Sequence, residues 1–167
     1  YDYFGRLGLR YPVRYIPGFV GKFCVHGGQL SSRPEVLFGM LDNLLASIDA
    51  ILGDPRTPEQ YRALRRRAKA GVHLAMIHSL LVNAGSVEDA LEMLGRALEH
   101  DPEPGQLARV AWEAFDFLAR RKRLAEALAF LDRVRAAGRS FAGLNYGRAF
   151  ALTLLRRFER VAEAVHS

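Results

Sequence analysis

Val87-Glu88-Asp89-Ala90-Leu91 is the stretch that decides the fold, because the chain repeats it twice. Leu124-Ala125-Glu126-Ala127-Leu128 and Val161-Ala162-Glu163-Ala164-Val165 are versions of the same phrase. The shared alanines stand at positions 90, 127 and 164, so each copy follows the one before it at an interval of 37 residues. A constant period of this length is typical of stacked helix pairs. The repeat therefore predicts a mainly α fold, an array of antiparallel helix pairs.

The first copy resembles a tetratricopeptide repeat in the placing of its large and small residues. Counted from Gly71, Leu74 takes the large apolar position, and Ala90 and Ala97 take small positions at which paired helices approach closely. Pro102 then closes the unit, because proline does not continue a helix. The resemblance implies a tetratricopeptide-like array.

The later copies follow the same plan with more departures. In the second copy, Gly138 ends the second helix in place of a proline. The third copy, from about Ser140, is degenerate. The positions expected to fill the two helices of the second copy are Trp112, Phe115, Leu118, Ala127, Leu131 and Val134.

Helix caps divide the first half of the helical region. Ser32 and Glu35 form a capping box, which predicts a helix that stops at Gly53-Asp54-Pro55. Thr57 is predicted to cap the next helix, with Pro58 at its first position and Gln60 as the partner of the cap. That helix is expected to run to about residue 84, and the stretch 86–89 is expected to open another.

The residues before position 33 have a different character. Helical spacing of apolar residues predicts a helix over 1–10, and apolar runs predict short strands over 13–16 and 19–25. Gly27 and Gly28 then end the second strand, since glycine enters backbone regions that other residues avoid. We therefore expect a short α/β segment ahead of the helices.

Four separated motifs of this segment resemble the end of the catalytic domain in bacterial family 2 glycosyltransferases. They are Tyr1-Asp2-Tyr3-Phe4-Gly5-Arg6-Leu7, Tyr11-Pro12, Tyr15-Ile16-Pro17 and Val25-His26-Gly27-Gly28-Gln29-Leu30-Ser31. They agree with the family in order and spacing, and they cover about the first fifth of the chain. The resemblance implies the tail of a GT-A domain.

The resemblance also implies the chemistry of the parent enzyme. A divalent metal, Mn²⁺ or Mg²⁺, would hold the diphosphate of a nucleotide-sugar donor, and a carboxylate base would deprotonate the acceptor. By register, the family's catalytic aspartate falls just before Tyr1, so we assign no catalytic residue within the chain. The 167 residues alone are expected to be inactive and to bind no metal.

The resemblance places a few ligand-binding residues near position 26. His26 would be a metal ligand, and Gly27 and Gly28 would let backbone amides approach the phosphates. Cys24 stands where family members often carry arginine, which leaves Lys22 as a substitute phosphate contact. The alternative for His26 is a histidine that caps the end of a strand.

Composition narrows the remaining possibilities. The net charge of +6 indicates anionic partners, or else arginines that solvate the outer faces of helices. Nucleic acid is not expected, because the basic clusters lack the interleaved aromatic residues on which bases stack. These clusters are Arg62, Arg65, Arg66, Arg67 and Lys69, and then Arg120, Arg121, Lys122 and Arg123. His73 and His78, five residues apart, fall on different helix faces and suit no metal site.

Together these patterns predict three regions: 1–32 as the tail of a GT-A domain, 33–56 as a connecting helix and 57–167 as a tetratricopeptide-like domain. The helical region would bind a glycan or lipid-linked acceptor or a partner protein. The alternative is a non-catalytic interaction scaffold. The lone cysteine and the lack of an apolar run of about 18 residues favour a cytoplasmic location, either free or at the inner membrane surface.

Overall fold

The computed structural model describes residues 6–8, 10–11 and 34–166, with the side chains of 35–156 in the long range. Residues 6–8 and 10 are helical, and no strand occurs in the described part of the chain. From residue 34 the α-helices are α1 (Pro34–Leu52), α2 (Glu59–Arg62), α3 (Arg65–Ser79), α4 (Val87–Glu99), α5 (Pro104–Arg120), α6 (Leu124–Ala136) and α7 (Leu144–His166). The expected mainly α fold is confirmed.

The helices pack as consecutive pairs. The helix α3 packs mainly against α4, and α5 packs mainly against α6. The first helices of the two pairs, α3 and α5, also touch, as do the second helices, α4 and α6. Short turns join the members of each pair, as expected for neighbours that run antiparallel. The helix α1 packs on α3 at one end of this series, and α7 packs on α6 at the other.

One apolar core runs through the series of helices. The repeated alanines Ala90 and Ala127 have no exposed surface, and Ala97 is equally buried. A small side chain at these positions lets neighbouring helices approach closely, so the spacing of 37 residues reflects equivalent packing positions. The largest fully buried side chains include Phe130, Leu41, Leu74, Ile77, Met93, Leu94, Leu118, Leu131 and Val134.

Several predicted helix boundaries are confirmed. The helix α1 ends at Leu52, directly before the predicted stop, and the Ser86 hydroxyl accepts a hydrogen bond of 3.2 Å from the backbone N–H of Asp89. Gly138 follows α6 with a φ of +69°, a left-handed conformation that favours glycine. Caps and glycine stops depend on residues that are close in sequence, so these helix ends could be predicted from the sequence alone.

The predicted cap at Thr57 is wrong. The Thr57 hydroxyl donates a hydrogen bond of 2.6 Å to the carbonyl of Ile51, in the last turn of α1. Such a terminal carbonyl has no partner within its own helix, so the hydroxyl satisfies it. Pro58 is the residue that precedes α2, and it makes no side-chain cap. The sequence predicts one helix from this point to about residue 84, but the structure has a break after Arg62 that separates α2 from α3. The helix α3 is followed by a π-helical turn over Leu80–Ala84, so the predicted end is close to the observed one.

The third copy of the repeat does not form a helix pair. The stretch 161–165 lies near the end of α7, which runs without a break from Leu144 to His166. The polar turn that precedes this phrase in the first two copies is therefore missing here. Within the described residues, the array contains two helix pairs, α3–α4 and α5–α6, with a single helix packed at each end.

The helical residues near the N-terminus lie beside the turn that follows α1. Arg6 and Arg10 line one side of a cavity of about 240 Å³, and Asp54, Arg56 and Thr57 line another. The Arg56 guanidinium donates hydrogen bonds of 2.6 to 3.1 Å to the Asp54 carboxylate. The N-terminal helical residues therefore meet the helical region at a strongly polar turn.

Candidate functional site

The site residues predicted from the glycosyltransferase resemblance lie outside the described residues. Lys22, His26, Gly27 and Gly28 all fall there, together with the strands predicted over 13–16 and 19–25. Their roles stay predictions. The described part of the chain offers other features, which are a stacked histidine pair, a cluster of arginines and an aromatic groove.

The two histidines of α3 point to different environments. His73 is 3% exposed, whereas His78 is exposed to solvent, so their placing on different helix faces is confirmed. The described residues contain no group of three or more histidine, cysteine, aspartate or glutamate side chains that could hold a metal ion.

His73 stacks on His100, a contact that joins α3 to the residue that follows α4. The ring centroids lie 5.7 Å apart, and the ring planes differ by 7°. Burial lowers the pKa of His73, and the charges of His100 and Arg96 lower it further. Burial also lowers the pKa of His100, with added contributions from Lys69 and Arg66. The nearby carboxylates of Glu99 and Asp49 act in the opposite direction, but both imidazoles remain biased toward the neutral form.

This pair makes the stability of the protein depend on pH. A folded-state pKa below 6.5 means that the unfolded chain binds more protons than the folded protein as the pH falls below that value. The free energy of unfolding therefore decreases below pH 6.5, by at most about 1.4 kcal/mol per pH unit from His73. Urea unfolding at a series of pH values should show a smaller decrease for His73→Leu. The matched control, His78→Leu on the same helix, should keep the slope of the native protein, and equal slopes in all three proteins would contradict the prediction.

Three members of the first basic cluster make ion pairs with α1 or within α2. Lys69 and Arg65 both contact the carboxylate of Asp49 on α1, at 2.7 and 2.6 Å. The hydrogen bond from Lys69, followed by that from Arg65, holds the pKa of Asp49 below its usual value. Arg62 pairs with Glu59 on α2. The first basic cluster is therefore divided between these ion pairs and a second surface.

The remaining members of that cluster face the end of α4, where they line what we call the basic cleft. Its charged and polar side chains are those of Arg66, Arg67, His100, Asp101 and Arg139, and its volume is about 490 Å³. Arg66 and Arg67 come from the first turn of α3, whereas Arg139 follows α6. The fold thus brings together arginines that are more than 70 residues apart in the sequence.

The second basic cluster forms the turn between α5 and α6. Arg120 pairs with Asp116 at 2.7 Å, and the guanidinium of Arg121 lies 3.6 Å above the centre of the Phe117 ring. Lys122 makes the turn itself with a φ of +62°, a left-handed conformation that is uncommon for a residue with a side chain. The basic residues of this cluster therefore serve contacts within α5 and the turn that follows it.

An aromatic groove lies between α5 and α7. Its apolar walls are formed by Trp112, Phe115, Ala119, Leu124, Tyr146, Phe150 and Leu154, and its volume is about 330 Å³. Asp116 and Arg120 stand at its rim. Tyr146 is 70% exposed, and Phe150 is 45% exposed. A contiguous exposed apolar patch with a polar rim is typical of an interaction site or a ligand-binding groove.

The expectation that Trp112 is a core residue is wrong, because its side chain is 38% exposed. The reason lies in the residues that face it. A Cβ atom on Gly147 would lie 3.0 Å from Cζ3 of Trp112, and one on Gly143 would lie 3.7 Å away. Glycine at these two positions lets the backbone of the α7 region lie close against one edge of the indole, and the rest of the ring lines the aromatic groove. Phe115, 5.3 Å away between ring centroids, is buried as expected.

Comparison of the chain with protein-family models, with curated proteins and with solved structures finds no match. In the described part of the chain, no helix has the length and apolar character needed to cross a membrane. The evidence for the candidate sites is therefore the geometry of the aromatic groove and of the basic cleft.

Proposed function

We propose that the chain is the C-terminal part of a family 2 glycosyltransferase whose helical region binds the sugar acceptor. Residues 1–32 complete a GT-A catalytic domain, residues 33–56 connect it to the next region, and residues 57–167 form a tetratricopeptide-like module. The N-terminal motifs support the catalytic part of this proposal, and the two packed helix pairs support the helical part.

The aromatic groove is the observation that carries the acceptor-binding role. The face of an aromatic ring carries partial negative charge, so it attracts the weakly positive C–H groups on one face of a sugar ring. Trp112 and Tyr146 offer such faces, while Asp116 and Arg120 at the rim can accept and donate hydrogen bonds to hydroxyl groups. The volume of about 330 Å³ lies within the range of about 300–1,000 Å³ typical of small-molecule sites.

In the parent enzyme, the donor is a nucleotide-sugar, and a divalent metal, Mn²⁺ or Mg²⁺, neutralises charge on its diphosphate. His26 serves as a metal ligand, the amides of Gly27 and Gly28 approach the phosphates, and Lys22 adds a phosphate contact. The catalytic base stands just before Tyr1. The enzyme works in the cytoplasm, where a lipid-linked acceptor would be reached at the inner membrane surface.

The groove can be tested directly, because Trp112 is the single tryptophan of the chain and its fluorescence reports on the groove alone. Titration with methyl glycosides of common hexoses and N-acetylhexosamines should change this fluorescence in a saturable way. Tyr146→Ala should weaken the binding by about 2- to 10-fold, the equivalent of roughly 0.5–1.5 kcal/mol for one aromatic contact. Tyr61→Ala, which removes an exposed tyrosine outside the groove, should leave the affinity unchanged. Equal affinity in Tyr146→Ala and the native chain would overturn the role of the groove.

The catalytic part is tested by the sequence that encodes the region before Tyr1. The proposal expects an aspartate-rich metal motif there and a Glu-Asp pair directly before Tyr1. It also expects the 167 residues alone to show no tight, metal-dependent binding of nucleotide-sugars by calorimetry. Tight binding by this chain, or an upstream region without either motif, would contradict it.

A second candidate is a non-catalytic scaffold that binds a partner protein. The packed helix pairs favour it, because helical repeats of this kind present extended surfaces to other proteins. The upstream sequence separates the two candidates, since the scaffold requires no metal motif there.

A further inference from the structure

Two arginines of the basic cleft come from different elements and pair with one carboxylate. Arg67 and Arg139 both pair with Asp101, which lies in the turn after α4. Arg66 donates a hydrogen bond of 3.0 Å to the backbone carbonyl of Glu99, which holds its guanidinium at the same place. Among the described residues that line the cleft, three guanidinium groups stand against one carboxylate, that of Asp101, so this lining carries two positive charges in excess.

The pairs with Asp101 are too long to use the hydrogen-bond donors of the arginines. The Arg67–Asp101 pair spans 3.6 Å and the Arg139–Asp101 pair 3.7 Å, beyond the range of about 2.7–3.2 Å for N–H···O hydrogen bonds. A guanidinium carries five N–H donors. Both side chains therefore hold donors that can turn to another acceptor. Arg67, Arg139 and Asp101 are all half-exposed, so a ligand can reach them from solvent.

Two other acidic side chains near the cleft already make hydrogen bonds or ion pairs of their own. Glu103 accepts hydrogen bonds of 2.9 and 2.6 Å from the backbone N–H groups of Gly105 and Gln106, at the start of α5. Asp49 is occupied by Lys69 and Arg65. The hydrogen bonds from Gly105 and Gln106, and then the charge of Arg67, lower the pKa of Glu103, so this carboxylate offsets only part of the positive charge of the cleft.

We propose that the basic cleft is a binding site for a phosphate group, held by Arg66, Arg67 and Arg139 with His100 as an added hydrogen-bond donor. Arginine is suited to this role because its planar fork of donors matches the oxygens of phosphate. A terminal phosphate has three equivalent oxygens for three guanidinium groups that approach from two different elements. A carboxylate has only two, and Asp101 already supplies one carboxylate to the cleft.

The cleft has room for more than the phosphate itself. Its volume of about 490 Å³ is larger than that of the aromatic groove, so a sugar phosphate or a nucleotide fits as well as a lipid headgroup. The shared chemistry is a phosphate monoester or diphosphate. This site requires neither the glycosyltransferase resemblance nor the aromatic groove, so it goes beyond the proposed function.

Pyrophosphate is the first probe. Calorimetric titration of the chain should show saturable binding, and Arg67→Gln and Arg139→Gln should each weaken it by about tenfold, the loss expected for one charge-assisted contact. Asp101→Asn should strengthen binding, because it removes the competing carboxylate. Arg109→Gln is the matched control, since Arg109 pairs with Glu113 on α5 and lies outside the cleft. Thermal melts establish that each variant is folded.

Vesicles distinguish the two sources of phosphate. The chain is sedimented with vesicles of equal parts phosphatidylcholine and phosphatidic acid, and with vesicles of phosphatidylcholine alone. Sedimentation with the first kind only, weakened by Arg67→Gln and Arg139→Gln, assigns the site to a lipid headgroup. Binding of pyrophosphate without sedimentation assigns it to a soluble phosphate. If neither probe binds, or if the folded arginine variants bind as the native chain does, the proposal is wrong.

Discussion

Phe130→Ala is expected to lower the free energy of unfolding by about 3–5 kcal/mol. Phe130 has no exposed surface and lies on α6, the helix that packs against α4, α5 and α7. Removal of the ring leaves a cavity in the apolar core, and rigid neighbouring helices fill such a cavity only in part. Urea unfolding followed by circular dichroism measures the change through a shift of the midpoint.

Phe150→Ala is the matched control, because it removes the same side chain from a position that is 45% exposed in the aromatic groove. It should cost far less stability than Phe130→Ala. A similar loss in both variants would mean that Phe130 is not at the centre of the packing between α6 and its neighbours.

Ala127→Leu is expected to destabilise the protein by about 1–3 kcal/mol. Ala127 has no exposed surface, and it occupies the position at which the repeat places a small residue. A leucine there adds three carbon atoms to a packed interface, so the helices must move apart or the side chain must leave its preferred rotamer. The same unfolding measurement detects the change, together with a lower thermal midpoint.

Ala125→Leu provides the comparison, since Ala125 lies two residues earlier on the same helix and is exposed. Leucine and alanine both favour helices, so this variant should remain within about 0.5 kcal/mol of the native protein. Equal losses from the two substitutions would show that the repeated alanine has no special place in the packing.

The repeat is the feature that the sequence predicts best. Ala90 and Ala127 are equivalent in the structure because each lies on the second helix of a pair and is fully buried. Ala164 breaks the rule, since its phrase falls in the continuous helix α7. A five-residue motif of this kind is compatible with the start of a helix or with the interior of one. A turn before the motif makes it a helix start, and in the third copy that turn is missing.

Thr57 shows the limit of a capping motif. The pattern Thr-Pro-Glu-Gln is a good start signal, yet the Thr57 hydroxyl bonds to the carbonyl of Ile51 on the preceding helix. The competing acceptor lies six residues back and is brought near only by the turn after α1. A local motif does not reveal such a partner. The turn geometry therefore overrides the capping signal.

The basic cleft and the aromatic groove could not be predicted from sequence for a similar reason. His100 and His73 stack across 27 positions of sequence, and Arg139 meets Asp101 from another helix pair. Trp112 has the spacing of a core residue, yet part of its ring lines the groove beside α7. Each site is made by residues that only the packing of separate helices brings together.

The sequence by itself determined the mainly helical character and several helix ends, because these depend on contacts within about four residues along the chain. It also determined the spacing of the pairs, because each repeated alanine marks an equivalent packing position. The N-terminal motifs and their ligand-binding residues remain predictions from sequence. The tertiary structure decided which arginines pair with carboxylates and which keep donors for a ligand, and which aromatic rings are buried. These outcomes depend on distances between helices, and such distances follow from the packing of the whole core rather than from any one segment.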